Sequence, residues 1–159
     1  MCERLAVKGF QPKSLRQRAL DYLGKREYSY AELGQKLKTY LAEDEDFEVI
    51  TAILEDFKTC GWLSDARFTE QIVHARSHKF GASKIANELR EKGVSQDLIE
   101  TAIEQVKENE LDNAFEIWRK KFKKSPDSRE EWAKQARFLQ SRGFGFDVIK
   151  KVLNSLTSD

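Results

Sequence analysis

The sequence contains two related stretches, LREKGVSQDLI at residues 89–99 and LQSRGFGFDVI at residues 139–149. They align without a gap and share leucine, glycine, aspartate and isoleucine at matching positions. Each stretch continues into apolar residues at helical spacing, which is the pattern of a helix, a tight glycine turn and a second helix. Because self-similarity marks repeat proteins, this pair of stretches predicts a chain built from copies of one helical unit.

A third, more divergent copy lies nearer the start of the chain. It appears when Leu37 is set against Leu89 and Ile50 against Ile99, with three extra residues in the acidic connection 43–46. Each copy is preceded by another segment whose apolar residues recur at the helical period. These leading helices are predicted at residues 14–25, 65–79 and 109–123. The sequence therefore predicts nine helices in three groups of three.

Glycine and serine positions agree with these helix boundaries. Gly93 and Gly143 lie where a helix has to end on a residue in the left-handed conformation, which glycine adopts without steric cost. Ser29 and Glu32 have the spacing of a capping box at a helix start. No stretch of alternating polar and apolar residues indicates a strand, so the predicted fold class is all-α.

We expect three tandem three-helix repeats that form an elongated, curved array. The predicted divisions are an N-terminal arm at 1–13 and repeats at 14–60, 61–107 and 108–159. A unit of this size buries little apolar surface alone, so neighbouring copies are expected to pack against one another. Such an array presents a long surface, which suits binding along a filament or a groove.

Charge is distributed along the chain in blocks. The 159 residues include 28 Lys and Arg and 27 Asp and Glu, so the total charge does not indicate a polyanionic partner. Residues 1–42 and 116–124 are predominantly basic, whereas residues 43–65 and 100–115 are predominantly acidic. Alternating blocks predict separate basic and acidic surfaces.

Cysteine content and the distribution of apolar residues indicate the cellular compartment. Cys2 and Cys60 are too few for a disulfide framework, and the N-terminal residues lack the apolar stretch of a signal peptide. No apolar run reaches the length of a membrane span, about 18 residues. We expect a cytoplasmic protein that does not enter a membrane, and we predict a monomer.

The sequence contains no recognisable catalytic or cofactor-binding motif. It lacks a glycine-rich phosphate loop, a nucleophile elbow and a spaced set of Cys and His zinc ligands. Glu70, His74 and His78 follow one another at four-residue intervals, which allows a metal site if a further ligand is supplied elsewhere. The alternative is a solvated helix face whose basic members, with Arg76 and Lys79, bind phosphate or an acidic partner. We favour the second interpretation and expect no enzyme activity, no metal and no cofactor.

Basic side chains provide the candidate contacts with a partner or with DNA. They are Arg76, Lys79, Lys84, Arg90, Lys92, Arg119, Lys120, Lys121, Lys123 and Lys124. Clustered cations bind phosphates by charge, and Tyr40, Trp62 and Trp118 are candidates to stack on bases. A free-standing nucleic-acid-binding protein is therefore an alternative. The other interpretation is that Trp118 and Phe122 are core residues and that their lysine neighbours form the solvated side of the helix. A helix-turn-helix repressor is disfavoured, because the second helix of one repeat, at 97–104, is acidic.

Five segments of the chain are distinctive when they are taken together. They are DARF at 65–68, GASKI at 81–85, ELREKGV at 88–94, REYSYAEL at 26–33 and FLQSRGF at 138–144. Together they resemble the RecX family, which regulates the bacterial RecA recombinase. The resemblance extends over about residues 14–156. Six residues that match the family's motifs are interpreted as structural, namely Asp65, Arg67, Phe68, Gly81, Leu89 and Gly93.

The resemblance implies a protein without catalytic activity that binds the RecA nucleoprotein filament in its helical groove. It further implies that the protein limits the extension and the ATP hydrolysis of the filament, and so damps homologous recombination and the SOS response. Single- or double-stranded DNA would be contacted weakly or through RecA. The resemblance assigns no individual contact residue, so the basic side chains named above are the candidates.

Overall fold

The computed structural model describes residues 12–157, which form nine helices and no strand. The predicted all-α class is confirmed. Residues 1–11 of the predicted N-terminal arm, with Cys2, lie outside the described residues. In chain order the helices are α1 (Leu15–Lys25), α2 (Tyr30–Lys38), α3 (Glu48–Thr59), α4 (Asp65–Arg76), α5 (Ala82–Glu91), α6 (Gln96–Glu108), α7 (Glu110–Lys121), α8 (Arg129–Ser141) and α9 (Phe146–Thr157). No helix in this range is long and apolar enough to cross a membrane.

Serine side chains define several of the helix starts. The Ser29 hydroxyl accepts a hydrogen bond from the backbone N–H of Glu32 at 3.0 Å, as the predicted capping box requires. Ser14, Ser95 and Ser128 cap α1, α6 and α8 in the same way. At each of these helix starts, the serine side chain therefore satisfies one of the free backbone N–H groups.

Three glycines with positive φ follow helices. Gly93 (φ 77°) and Gly143 (φ 94°) end α5 and α8, as predicted, and Gly61 (φ 79°) follows α3. After Gly93 and Gly143, the next backbone N–H returns to the carbonyl of Leu89 at 3.1 Å and of Leu139 at 3.2 Å. These bonds close the last helical turn in the form typical of a glycine-terminated helix.

The chain divides into two compact units, with the boundary between Ser64 and Asp65. The first unit holds α1–α3 around one apolar core that includes Leu33, Leu54 and Phe57. The second unit holds α4–α9 around two cores. One core draws on α4–α6 and the other on α7–α9. Each core thus belongs to three consecutive helices, while the repeat limits at 14–60, 61–107 and 108–159 stay a prediction.

Within the second unit, the connection between α4 and α5 packs tightly on the turn between α8 and α9. The N–H of Gly81 donates to the carbonyl of Arg142 at 2.7 Å, and the N–H of Ser83 donates to the carbonyl of Gly143 at 3.2 Å. A Cβ atom on Gly81 would lie 2.6 Å from the Gly143 oxygen, and one on Gly143 would lie 2.6 Å from the Cβ of Lys84. Glycine is required at both positions because the two backbones touch. We call this contact the glycine junction.

Two predicted helices end earlier than expected. The helix predicted at 65–79 ends at Arg76, because the chain has to become extended at Gly81 (ψ 176°) to reach the glycine junction. The helix predicted at 109–123 ends at Lys121, since Lys123 has φ 62° and is not helical. Apolar periodicity locates a helix, but tertiary contacts decide where it ends.

A buried carboxylate adds a second link between the α4–α6 and α7–α9 groups. Glu110 is the first residue of α7 and is 6% exposed. Its carboxylate accepts a hydrogen bond from the backbone N–H of Ala82 at the start of α5, and its Oε2 atom has no partner among the described residues. Burial raises the pKa of Glu110, and the Ala82 bond and the charge of Lys107 oppose that rise.

Candidate anion-binding cleft

A concave region of the second unit is lined by basic side chains over an apolar floor. The cavity has a volume of about 380 Å³ and is lined by His78, Lys79, Ile117, Lys120, Lys121, Phe138 and Arg142. We call it the basic cleft. Among the described residues that line it, four are permanent cations, one is a histidine and none is acidic. This arrangement suits an anionic ligand.

Three separate parts of the chain build the basic cleft. Helix α7 contributes Ile117, Lys120 and Lys121, which share a face because they are three and four residues apart. Phe138 lies in the last turns of α8, and Arg142 follows as its capping residue. The turn after α4 contributes His78 and Lys79, and its backbone is held by bonds such as that from the Lys79 N–H to the Arg76 carbonyl at 2.9 Å.

Aromatic rings hold several of these cations in place. The Arg142 guanidinium carbon lies 5.2 Å from the centre of the Phe138 ring, and the Lys121 ammonium lies 5.8 Å from it. Arg142 also lies 5.8 Å from the ring of Phe80, above which the Lys84 ammonium sits at 4.5 Å. Such cation–π contacts are favourable and reduce the number of rotamers that each side chain samples. The cations are therefore partly ordered before any ligand binds.

A second cavity, of about 640 Å³, adjoins the basic cleft through Lys79. Its lining also contains Arg76, Phe80, Lys84, Asn87, Glu88 and Glu91. Arg76 forms a bidentate ion pair with Glu88, with an Nε to Oε2 distance of 2.9 Å and an Nη2 to Oε1 distance of 3.0 Å. The hydrogen bonds that Arg76 donates to Glu88 raise the pKa of Arg76. Because this cavity contains two carboxylates, it is less suited to an anion than the basic cleft.

The structure groups only part of the predicted basic set. Lys79, Lys120 and Lys121 line the basic cleft, whereas Arg76 and Lys84 line the adjoining cavity. The other predicted residues line neither cavity. Arg90 donates to the side chain of Asn87, Arg119 pairs with Glu116 at 2.8 Å, Lys92 caps α5, and Lys123 and Lys124 lie in the turn after α7. A contact role for any of them stays a prediction.

Arg142 was not among the predicted contact residues, whereas His78 was expected on a basic helix face that binds phosphate or an acidic partner. The signal for Arg142 was present, because the repeat alignment sets it against Lys92. The spatial grouping was not visible, since His78, Lys121 and Arg142 are far apart in the sequence.

No group of three or more His, Cys, Asp or Glu side chains that could hold a metal ion occurs within residues 12–157. The rings of His74 and His78 lie edge to face, with their centres 6.2 Å apart. Because α4 ends at Arg76, His78 lies in the turn after the helix and does not continue the face that carries Glu70 and His74, so the predicted one-face arrangement is wrong. The described residues also bring no third ligand to the two histidines.

The residues that carry the family resemblance have structural surroundings. Phe68 and Leu89 are buried in the same core, at 1% and 0% exposure. Asp65 begins α4, and its carbonyl accepts a hydrogen bond from the hydroxyl of Thr69 at 2.7 Å. Gly81 and Gly93 have the roles described above, in the glycine junction and at the end of α5, and Arg67 is exposed on α4.

Comparison with known proteins gives one consistent result. The model of the second three-helix domain of RecX matches residues 64–103, and that of the third three-helix domain matches residues 108–153. The chain is 41% identical to the regulatory protein RecX of Leptothrix cholodnii, over 88% of this chain and 87% of that protein. It is 40% identical to the regulatory protein RecX of Chromobacterium violaceum, over 89% of this chain and 90% of that protein.

A solved structure supports the fold. The crystal structure of RecX from Lactobacillus salivarius superimposes with a TM-score of 0.77 and 20% sequence identity, covering 91% of this chain and 96% of that one. The chain therefore belongs to the RecX family of regulatory proteins, and its helices α4–α9 correspond to the second and third three-helix domains of that family.

Proposed function

We propose that this protein binds the RecA nucleoprotein filament through the basic cleft and lowers the filament's extension, ATP hydrolysis and recombinase activity. The effect is to damp homologous recombination and the SOS response. The protein acts in the cytoplasm as a monomer, and it has no enzymatic activity or cofactor of its own. Membership of the RecX family supports a regulatory role, and the basic cleft supplies a surface through which it is exerted.

The observation that carries the proposal is the composition of the basic cleft. Lys79, Lys120 and Lys121 are exposed, and Arg142 is half-buried against two aromatic rings. The basic cleft holds four cations and no carboxylate in its lining, so the cations repel one another and destabilise the free protein. A negatively charged partner that binds there relieves this repulsion. Charge complementarity of this kind raises the association rate and fixes the orientation of the partner.

The test is the rate of ATP hydrolysis by RecA on single-stranded DNA, measured as this protein is added. The wild-type protein is expected to lower the rate. The charge-reversed variant Lys120→Glu/Lys121→Glu should need about tenfold more protein for the same effect, since each exposed ion pair contributes roughly 0.2–1 kcal/mol and reversal adds repulsion.

A matched control separates the basic cleft from overall charge. Lys134→Glu/Lys151→Glu makes the same change in net charge at two exposed lysines of α8 and α9 that do not line the cleft. This control should inhibit as the wild type does. Equal loss of inhibition in both variants would refute the cleft as the site, and no effect of the wild-type protein would refute the function itself.

Free-standing nucleic-acid binding is the second candidate, and the same four cations are the observation in its favour. It predicts tight binding to DNA without RecA, with an affinity that falls steeply as salt is raised. Fluorescence anisotropy of a labelled oligonucleotide, with RecA absent, distinguishes it from the first candidate.

A further inference from the structure

We propose that the basic cleft binds an acidic segment of a protein partner that carries a large apolar side chain, and not the phosphate backbone of a nucleic acid. This inference rests on the proposed function, because the cleft is the surface assigned to the partner. Three properties of the cleft support this inference: its floor is apolar, its aromatic rings already contact cations, and its positive charge on α7 extends over only one helical turn.

The floor of the basic cleft is apolar. Ile117 is buried and Phe138 is half-buried, whereas the lysines of the lining are exposed, and the cavity measures about 380 Å³. An apolar cavity of about 150 Å³ is enough for a benzene ring, so this one has room for a large side chain. A phosphate backbone has no group that gains from burial against Ile117, whereas a leucine or phenylalanine between carboxylates does.

The aromatic rings near the basic cleft are already engaged. The ring of Phe138 packs edge to face on Phe122 at 5.2 Å and is approached by Lys121 and Arg142. Phe80 is approached by Lys84 and Arg142. Proteins that bind single-stranded nucleic acids stack bases on the faces of aromatic rings. Here those faces carry cations, which bind carboxylates while the rings stay in place.

The positive charge of α7 is confined to its last turn. Lys120 and Lys121 line the cleft, but Glu116 lies one turn earlier and Asp112 one turn before that, both exposed. At a rise of about 1.5 Å per residue these carboxylates stand roughly 6 and 12 Å from Lys120 along the helix axis. Glu116 is already paired with Arg119 at 2.8 Å, so a nucleic-acid strand that continues past the cleft in that direction meets no further cation on α7 and then Asp112. A short acidic segment ends before it reaches this part of α7.

The test uses the intact, isotopically labelled protein and a blocked synthetic peptide, EEEEFEE, in which acids surround one phenylalanine. Two-dimensional amide NMR spectra follow the titration. The peptide should shift the signals of residues 78–79, 117–121 and 138–142. Replacing the phenylalanine with alanine, or the acids with glutamines, should weaken binding several-fold in each case, because the apolar floor and the exposed cations of the cleft contribute separately to the affinity.

Variants of the protein provide the matching control. Lys120→Gln/Lys121→Gln should lower the affinity for the peptide by about tenfold, because each exposed ion pair contributes a few-fold. Lys134→Gln/Lys151→Gln should leave that affinity unchanged. Unshifted spectra for both variants, outside the substituted sites, verify that they are folded.

An oligodeoxythymidylate of the same net charge is titrated alongside. If it shifts the same signals at lower concentration than the peptide, or if the peptide leaves them unmoved, the inference is overturned. RecA is absent from these titrations, so their failure leaves the inhibition assay above intact. Conversely, peptide binding without inhibition of RecA would refute the proposed function and leave the ligand class of the cleft supported.

Discussion

The glycine junction makes a quantitative prediction for Gly143→Ala. The residue has φ 94°, a conformation that costs a non-glycine residue roughly 1–2 kcal/mol. Its new Cβ would also lie 2.6 Å from the Cβ of Lys84 and 2.8 Å from the Lys84 backbone nitrogen. The start of α5 has to move to relieve these contacts, and displacements of this kind typically cost about 1–3 kcal/mol. Together the two effects predict a loss of about 2–5 kcal/mol in the free energy of unfolding.

Two other glycines in the same unit separate these contributions. Gly81 has no positive φ, but its Cβ would lie 2.6 Å from the Gly143 oxygen, so Gly81→Ala tests the contact alone. Gly145 has no positive φ and no atom within 4 Å of its Cβ position, so Gly145→Ala introduces neither backbone strain nor a close contact and is the control.

Urea unfolding, monitored by circular dichroism and by hydrogen exchange of α5 and α9 amides, provides the measurement. Gly143→Ala should be the least stable of the three variants and Gly145→Ala should lie within about 0.5 kcal/mol of the wild type. Equal stability of Gly143→Ala and Gly145→Ala would refute the close contact between the α4–α5 connection and the α8–α9 turn.

Further predictions concern polar groups that are buried or half-exposed. Burial raises the pKa of Glu110, so this carboxyl binds its proton more tightly in the folded than in the unfolded state. The free energy of unfolding should therefore fall as pH rises from about 4.5 through the raised pKa. Glu110→Gln should reduce that fall, measured in urea titrations at several pH values. Trp118→Phe removes the buried indole N–H that donates to Gln135 at 2.7 Å and should cost about 1–3 kcal/mol by thermal unfolding, because the Gln135 oxygen loses its partner. Arg76→Ala breaks a half-exposed ion pair with Glu88 and should cost about 1 kcal/mol or less, with the loss diminished in high salt.

Much of the fold was predictable because the signals are local. Apolar periodicity located the nine helices found in the described residues, and Ser29, Gly93 and Gly143 lie at helix boundaries where their side chains or φ angles were expected. These signals act within a few residues of one another. The match between 89–99 and 139–149 predicted the repeated helical unit because both copies need the same turn.

The basic cleft was only partly predictable because it is a product of tertiary packing. The lysine run in 119–124 reads as one cluster, yet Lys120 and Lys121 line the cleft while Lys123, at φ 62°, lies beyond the helix end. Arg142 joins them from the residue that caps α8; its alignment with Lys92 marks it as a basic position of the repeat but does not place it in the cleft. The glycine junction that positions Arg142 likewise involves two residues, Gly81 and Gly143, that are far apart in sequence.

The central claim is that the basic cleft contacts RecA. Its most direct test is the binding of the fluorescently labelled protein to filaments of RecA preassembled on single-stranded DNA, measured by anisotropy for the wild type, Lys120→Glu/Lys121→Glu and the control Lys134→Glu/Lys151→Glu. We expect the cleft variant to bind about tenfold more weakly than the other two proteins, which should bind alike. Equal binding by all three proteins would contradict it.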